Sequence, residues 1–220
     1  MTAAVLADIT EPTDAIAFTL RSVAPPGAAP HAMRRALVLG VGGAAAFGVA
    51  LGSFGGSPLQ MIASAFKVPL LLLCTTVLCF PAFHVLQLTR ATRPLSLLSA
   101  LALHVHAWAA TALVWGALAL PLLFLASTVQ HYRLAQVLAL VVGTVGGTFG
   151  LRRFSQRYAA ATDGSATVLR AYFLLHAVVG AQLSWGLRPF LGAPDQPFEL
   201  VRGLRSNFFE FVLGPLWKIW

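Results

Sequence analysis

Long apolar runs without a single charged residue limit what this chain can fold into more than any other feature. Residues 68–88 and 95–126 contain no Asp, Glu, Lys or Arg. About 20 consecutive apolar residues are enough for a helix to cross the hydrocarbon core of a bilayer. Charged residues make up 10% of the chain, against about 25% in soluble domains. The sequence therefore predicts an all-α, polytopic membrane helix bundle.

Five apolar runs, numbered here as spans one to five, indicate about five transmembrane helices plus interfacial helices. In chain order the spans cover 36–54, 68–88, 95–126, 134–151 and 166–187. The predicted regions are a cytoplasmic N-terminal segment at 1–35, a five-helix transmembrane bundle at 36–187 and a non-cytoplasmic interfacial tail at 188–220.

Two stretches differ in length from a simple crossing. Span three is too long for one upright crossing and too short for two, which favours one tilted helix that bends or ends near Pro121. Residues 55–67 connect the first two spans, and a short interfacial helix is expected there. In that helix Gln60, Ser64 and Lys67 would face water while the apolar residues face lipid.

Glycines recur at helical spacing in spans one and four. Gly48, Gly52 and Gly56 are four residues apart, and Gly40 and Ala44 continue the same line. Span four carries two shorter stripes, formed by Gly143 with Gly147 and by Gly146 with Gly150. Small residues let helices approach closely in lipid, where packing drives association. We expect these glycines to mark helix contacts, and pairing of spans one and four is one interpretation.

Positive charges are distributed unequally between the two ends of the spans. The chain has 15 Lys and Arg against 7 Asp and Glu, a net charge of +8. One side receives Arg21, Arg34, Arg35, Arg90, Arg93, Arg152, Arg153, Arg157 and Arg170. The other side receives Lys67 and Arg133 in short loops, and the tail adds Arg188, Arg202, Arg205 and Lys218. Because Lys and Arg concentrate in cytoplasmic loops, the N-terminus is predicted to be cytoplasmic, and no nucleic-acid partner is expected.

No acidic residue lies inside any predicted span. The carboxylate proton relays and cation sites of many transporters therefore have no candidates here. The sequence also lacks intramembrane metalloprotease, paired-carboxylate, phosphate-loop and nucleophile-elbow patterns. Cys74 and Cys79 lie on different faces of one helix, so neither a disulfide nor a paired metal site is expected. We predict that the protein is not an enzyme.

Histidines are the remaining candidates for a polar or ligand site inside the bilayer. His106 and His176 are predicted at similar depth, and two facing imidazoles could ligate a b-type haem. Against this, His104 and His106 point to opposite sides of a helix. Hydrogen bonds between helices are the leading interpretation for all of them, including His84. We expect no cofactor and no metal, with haem b as an alternative.

The tail combines turn-forming residues with aromatic and basic side chains. Arg188 and Pro189 end span five, and Asn207 with Glu210 has the spacing of a helix-capping box. The predicted form is a hook on the membrane surface that caps the bundle, with Trp217 and Trp220 as interfacial anchors. The alternative is a partner-binding surface, for which the candidates are Arg188, Phe190, Arg202, Asn207, Phe208, Phe209 and Glu210.

Three stretches carry a family resemblance, namely KVPLL from residue 67, CFPAFHV from residue 79 and RPFLGAPDQPFELVRGLRSNFFEFV from residue 188. They resemble the Yip1-like polytopic membrane proteins, and in particular a bacterial group of them. The resemblance covers about residues 55–212. It implies a small helical bundle in a bacterial inner membrane and a non-enzymatic role. Eukaryotic Yip1 relatives act with small GTPases, but this chain lacks their N-terminal region, so that partner is not expected.

These observations favour an organising or partner-binding membrane subunit that contacts lipid and other membrane subunits or further copies of itself. A channel or transporter for a small solute or ion is an alternative, since Gln182 and His176 could line a polar path through span five. A haem-binding electron-transfer subunit is the second alternative.

Overall fold

The computed structural model of the protein describes residues 30–128, 131–162, 164–192, 198–203 and 208. This part of the chain forms five α-helices and no strand: α1 Pro30–Gly52, α2 Pro58–Arg90, α3 Leu97–Thr128, α4 Tyr132–Ala161 and α5 Ala166–Leu187. All five are long and apolar enough to cross a membrane. The predicted all-α, polytopic helix bundle is confirmed.

The second helix begins at Pro58 and not at Val68 as predicted. Ser57 caps it, and the Ser57 side chain accepts a hydrogen bond from the backbone N–H of Gln60 at 3.4 Å. Proline suits the first turn because an N–H there would have no partner within the helix. The prediction of a separate interfacial helix at 55–67 was wrong, since most of this stretch is the beginning of α2.

The other helix boundaries follow the apolar runs. α5 has the predicted bounds Ala166–Leu187. α3 is one long helix, as predicted, and it continues through Pro121 to its last residue, so the helix does not end near that proline. α4 continues past the predicted end at Leu151 to Ala161. Its last turns carry three arginines, and a helix can extend beyond the hydrocarbon without losing its backbone hydrogen bonds.

Helix packing follows chain order only in part, and it does not follow the pairing expected from the glycines. α1 packs closely against both α2 and α3, while α4 packs on α3 and α5 packs on α2. The interpretation that pairs spans one and four was wrong. Each has a glycine stripe, but α1 uses its stripe on α2 and α3, and α4 uses Gly146 and Gly150 on α3.

The glycines of α1 permit backbone contact between helices. A Cβ atom at Gly43 would overlap the Ala112 carbonyl of α3, and one at Gly48 would overlap the Ser64 carbonyl of α2. The predicted packing role is therefore confirmed for Gly48, and it also holds for Gly40 and Gly52, which meet Trp108 and Gln60. Gly56 differs, because it lies outside the helix at a φ of +71°, a conformation that favours glycine.

Two clusters of buried residues form the core. The first, called here the small-residue core, consists of Ala44, Phe47, Ala50, Leu51, Val68, Ala112, Trp115, Ala119 and Leu122. The second, called here the aromatic core, consists of Cys79, Phe83, Leu95, Ala100, Leu103, Phe154, Tyr158, Val168 and Tyr172. The small-residue core joins α1 to α2 and α3, and the aromatic core joins α2 and α3 to α4 and α5.

Candidate functional site

A row of polar side chains on α2 binds the chain segment that follows α5. Gln60, Ser64 and Lys67 share one face of the helix because they are four and three residues apart. The Gln60 amide and the Lys67 ammonium both donate to the Pro189 carbonyl, at 2.9 and 2.8 Å. The Ser64 hydroxyl donates to the Phe190 carbonyl at 2.6 Å. We call this group the tail clamp.

The prediction that Gln60, Ser64 and Lys67 face water was wrong. All three side chains are buried, with exposures of 3%, 0% and 4%. The polar pattern is genuine, but its partners are two backbone carbonyls that belong to a segment more than 120 residues away in the chain. A buried carbonyl needs a hydrogen-bond donor. Pro189 and Phe190 lie after the end of α5, so these three side chains provide the donors that a helix would otherwise provide.

The turn between α2 and α3 is held by a second buried amide. The Gln87 side chain donates to the Leu95 carbonyl at 3.0 Å and accepts from the Leu95 N–H at 2.9 Å. His84, one turn earlier, lies with its Nδ1 2.9 Å from the Gln87 amide nitrogen. Gln87 is fully buried, so its two hydrogen bonds satisfy the N–H and the carbonyl of Leu95, which water cannot reach. We call Gln87 and His84 the turn clamp.

Histidine 104 lies inside the aromatic core. Its ring centroid is 4.8 Å from that of Phe83, 4.9 Å from Phe154 and 5.3 Å from Tyr172, all in edge-to-face geometry. Edge-to-face contacts of this kind place the positive edge of one ring against the negative face of another. The apolar surroundings favour a neutral imidazole, because burying an isolated charge is costly.

The proton on His104 is fixed by its hydrogen bond. Nδ1 is 2.7 Å from the Ala100 carbonyl, and a carbonyl can only accept, so Nδ1 carries the hydrogen. In a neutral ring Nε2 is then an acceptor. This atom is buried and has no hydrogen-bond partner among the described residues, and the same is true of the Trp108 indole N–H.

A cavity of about 150 Å³ lies beside these two groups, between α2, α3, α4 and α5. On α3 it is lined by residues that repeat along one face of the helix, namely His104, Trp108, Thr111 and Trp115. The indole N–H of Trp115 donates to the Gly143 carbonyl at 3.2 Å. Trp108 therefore differs from Trp115, because its donor has no protein acceptor in the described structure.

The four predicted histidines occupy three different environments. His104 and His176 both line the cavity, whereas His106 is half-buried elsewhere on α3 and His84 belongs to the turn clamp. His104 and His176 are thus the two histidines that share a cavity, and His106 does not line it. The Tyr172 ring contacts both imidazoles, at 5.3 and 5.5 Å.

Haem b as an alternative cofactor stays a prediction. Across the described ranges no three His, Cys, Asp or Glu side chains are grouped as metal ligands. Cys79 is buried, and Cys74 is partly exposed.

Gln182 and His176 have different surroundings on α5. Gln182 is exposed, and its side-chain oxygen accepts a hydrogen bond from the Phe208 N–H at 3.2 Å. His176 instead lies within reach of the Tyr172 hydroxyl, 3.3 Å from its Nδ1. Six residues apart on a helix, Gln182 and His176 point in different directions.

The described tail residues contact the bundle. Phe190 packs against the small-residue core, and the Arg188 guanidinium lies 3.4 Å from the centroid of the Trp185 ring. Arg202 donates its backbone N–H to the Arg188 carbonyl at 3.0 Å and forms an ion pair with Glu199 at 3.2 Å. The Phe208 ring meets that of Trp185. The other tail residues discussed above lie outside the described residues: Asn207, Phe209, Glu210, Trp217 and Trp220.

Sequence reasoning missed the residues that give these sites their geometry. Gln87 lies within span two, and a glutamine inside an apolar run is a visible signal for a buried hydrogen bond. Trp108 was visible only as one of several aromatic residues on span three. Tyr158 and Phe154 lie at or beyond the end of the apolar run of span four, and no sequence pattern marked them as core.

Comparison with known proteins finds no matching family model, no matching curated protein and no matching solved structure. The resemblance to Yip1-like membrane proteins therefore stays a prediction.

Proposed function

We propose that the protein is a non-enzymatic membrane subunit that binds another transmembrane helix through the lipid-facing side of α4. The observation that carries the proposal is a pair of hydroxyls, Thr144 and Thr148. Both side chains are exposed, and within the described structure neither forms a side-chain hydrogen bond. They lie one turn apart on the same face.

The position of the two hydroxyls along α4 means that lipid, and not water, would surround them. Thr144 and Thr148 lie near the middle of α4, within the 18 residues between Arg133 and Arg152. At that depth no water is present to hydrogen-bond with them. Ser and Thr side chains often hydrogen-bond between transmembrane helices. A partner helix would provide acceptors that lipid tails cannot.

The rest of the α4 surface is also suited to binding a partner helix. The face toward α3 is already used, since Cβ atoms at Gly146 and Gly150 would overlap Trp115 and Thr111. At Gly143 a Cβ would meet nothing within 4 Å in the described chain. A glycine at the edge of the threonine face allows close approach of a second helix.

The test is the mass of the complex purified in nanodiscs from native membranes. The wild type is expected to run as a stoichiometric assembly, either with a second copy or with another membrane protein. The double variant Thr144→Val and Thr148→Val keeps the shape of both side chains and removes both hydroxyls. Loss of two hydrogen bonds at about 0.6 kcal/mol each should raise the dissociation constant roughly eightfold.

The matched control is Thr89→Val. The Thr89 hydroxyl bonds to the carbonyls of Val85 and Leu86 within its own helix, so its loss should leave the assembly unchanged. A second arm replaces Phe208 by Ala to test the tail as the partner surface without removing Pro189 and Phe190, which pack into the bundle. A wild-type monomer, or an assembly that the double variant leaves intact, would reject the α4 interface.

We also propose that the N-terminus is cytoplasmic and the membrane a bacterial inner membrane. In a bundle of five antiparallel crossings, the basic ends of α1, α2, α4 and α5 share one side, and this side is cytoplasmic if the positive-inside rule applies. Labelling of single cysteines in intact cells tests this, with Cys74 and Cys79 replaced by Ala. A cysteine at Thr92 should be protected and one at Ser127 labelled, and the reverse would overturn the orientation.

A further inference from the structure

Among the described residues, the cavity between α2, α3, α4 and α5 has a buried acceptor and a buried donor that lack hydrogen-bond partners. We propose that it binds a hydroxyl-bearing six-membered ring, such as the phenol or quinol head of a bilayer-soluble molecule. This inference is independent of the partner helix proposed above, because it concerns the inner side of α4 and not its lipid-facing side.

The polar chemistry defines the head group. The His104 Nε2 is an acceptor because Nδ1 already donates to Ala100, and the Trp108 N–H can only donate. Both side chains are more than nine-tenths buried, and both line the cavity. They are four residues apart, so they are neighbours on one helix face. A single hydroxyl can donate to His104 and accept from Trp108, which neither a carboxylate nor an ammonium can do.

The size and the walls of the cavity indicate the ring. A volume of about 150 Å³ is that of an engineered cavity known to hold benzene. Aromatic walls are provided by Trp115, Phe154 and Tyr172. Rings pack well against one another in offset or edge-to-face geometry. A hydroxylated ring therefore satisfies both the polar and the aromatic groups of the lining.

The side between α4 and α5 is where we expect a ligand to enter from the bilayer. These two helices lack the close backbone packing that joins α4 to α3 and α5 to α2, and within the described chain they meet through ring contacts such as Phe154 with Phe173. Gly147 lines the cavity on α4, and a side chain there would meet nothing within 4 Å. The ligand can therefore enter sideways from lipid.

The experiment uses the full chain in nanodiscs and two probes that differ by one hydroxyl, 4-fluorophenol and fluorobenzene, followed by fluorine NMR. Empty nanodiscs give the shift caused by partition into lipid. The wild type should show a saturable shift with 4-fluorophenol and a weaker one with fluorobenzene. In Trp108→Phe and in His104→Phe the dissociation constant for 4-fluorophenol should rise about threefold to tenfold, as expected for loss of one hydrogen bond.

Three further variants provide the controls. Trp185→Phe removes an indole that lies under Arg188 and does not line the cavity, so binding should be unchanged. Gly147→Leu places a side chain in the open space and should abolish binding while the protein still folds. The double variant Thr144→Val and Thr148→Val should bind 4-fluorophenol as the wild type does, which separates this site from the proposed helix interface.

Two results would overturn the proposal. If no shift exceeds that of empty nanodiscs, the cavity holds only water. If fluorobenzene binds as tightly as 4-fluorophenol, and Trp108→Phe changes neither, the cavity is an apolar void without hydroxyl recognition. Should His104→Phe fail to assemble, Trp108→Phe decides the matter, because it retains most of the ring volume on Gly40.

Discussion

The two cores of this bundle achieve close packing in opposite ways. In the small-residue core, α1 has glycines at the contact points, so its backbone lies directly against Ala112 of α3 and Ser64 of α2. In the aromatic core, rings fill the space between the helices, with Phe83 contacting Phe154, Tyr158 and Tyr172. The cavity lies where the two types of packing meet along α3.

This difference matters because lipid tails are as apolar as the core. Hydrophobic sorting contributes little to helix association in a bilayer, and contact density and hydrogen bonds must do so. The small-residue core should therefore be damaged by adding atoms, and the aromatic core by removing them. Each core also has a buried amide that fixes a connecting segment, Gln60 in the tail clamp and Gln87 in the turn clamp.

The largest effect is expected from Phe83→Ala, which empties the centre of the aromatic core. Phe83 is fully buried, and its removal should lower the free energy of unfolding by about 3 kcal/mol, the lower end for such changes. The lower end applies because the unfolded ring would still lie in lipid. Phe66→Ala is the control, since Phe66 is 74% exposed. Steric trapping in bicelles measures both, and equal losses would contradict a central role for Phe83.

The next largest effect should come from Gly43→Val in the small-residue core. The added Cβ would overlap the Ala112 backbone, and overpacking of this kind costs about 1–3 kcal/mol. Gly42→Val is a closely matched control, because a Cβ there meets nothing within 4 Å. The same unfolding measurement should separate the neighbours by about 2 kcal/mol. If both variants are equally stable, α1 and α3 are not in backbone contact.

Replacing Gln87 by Leu tests the turn clamp. The change keeps the side-chain size but leaves the N–H and the carbonyl of Leu95 without partners. It should lower the free energy of unfolding by about 2 kcal/mol. Gln136→Leu on the exposed side of α4 should change stability by less than about 0.5 kcal/mol. Hydrogen exchange of the Leu95 amide provides a local readout, and it should accelerate in Gln87→Leu only.

The smallest effect is expected from Ser64→Ala, which removes one bond of the tail clamp. Loss of the contact to the Phe190 carbonyl should cost about 1 kcal/mol, mainly in local opening of the segment after α5. Trypsin cleavage at Arg202 should then accelerate about fivefold, since cleavage follows the population of the open form. Ser127→Ala, at an exposed hydroxyl, is the control. An unchanged rate would show that Gln60 and Lys67 hold the segment without Ser64.

The features that the sequence predicted are those set by the solvent. The bounds of α5 and the unbroken α3 follow from apolar runs, because a chain in hydrocarbon must satisfy its backbone within each helix. The spacing of Gly48 and Gly52 predicted that they are packing residues, but it did not predict which residues they contact. The helical phase of Gln60, Ser64 and Lys67 was also visible, but a polar stripe indicates water or protein equally well.

What the tertiary structure decided is which surfaces meet. The sequence of this protein determines by itself that its described residues form five helices long and apolar enough to cross a membrane, because hydropathy and length depend on neighbouring residues alone. It does not determine that α1 packs on α3, that Pro189 and Phe190 accept hydrogen bonds from α2, or that His104 and not His106 faces His176. These contacts join residues distant in the chain, and they arise from the shapes of whole helices fitted together.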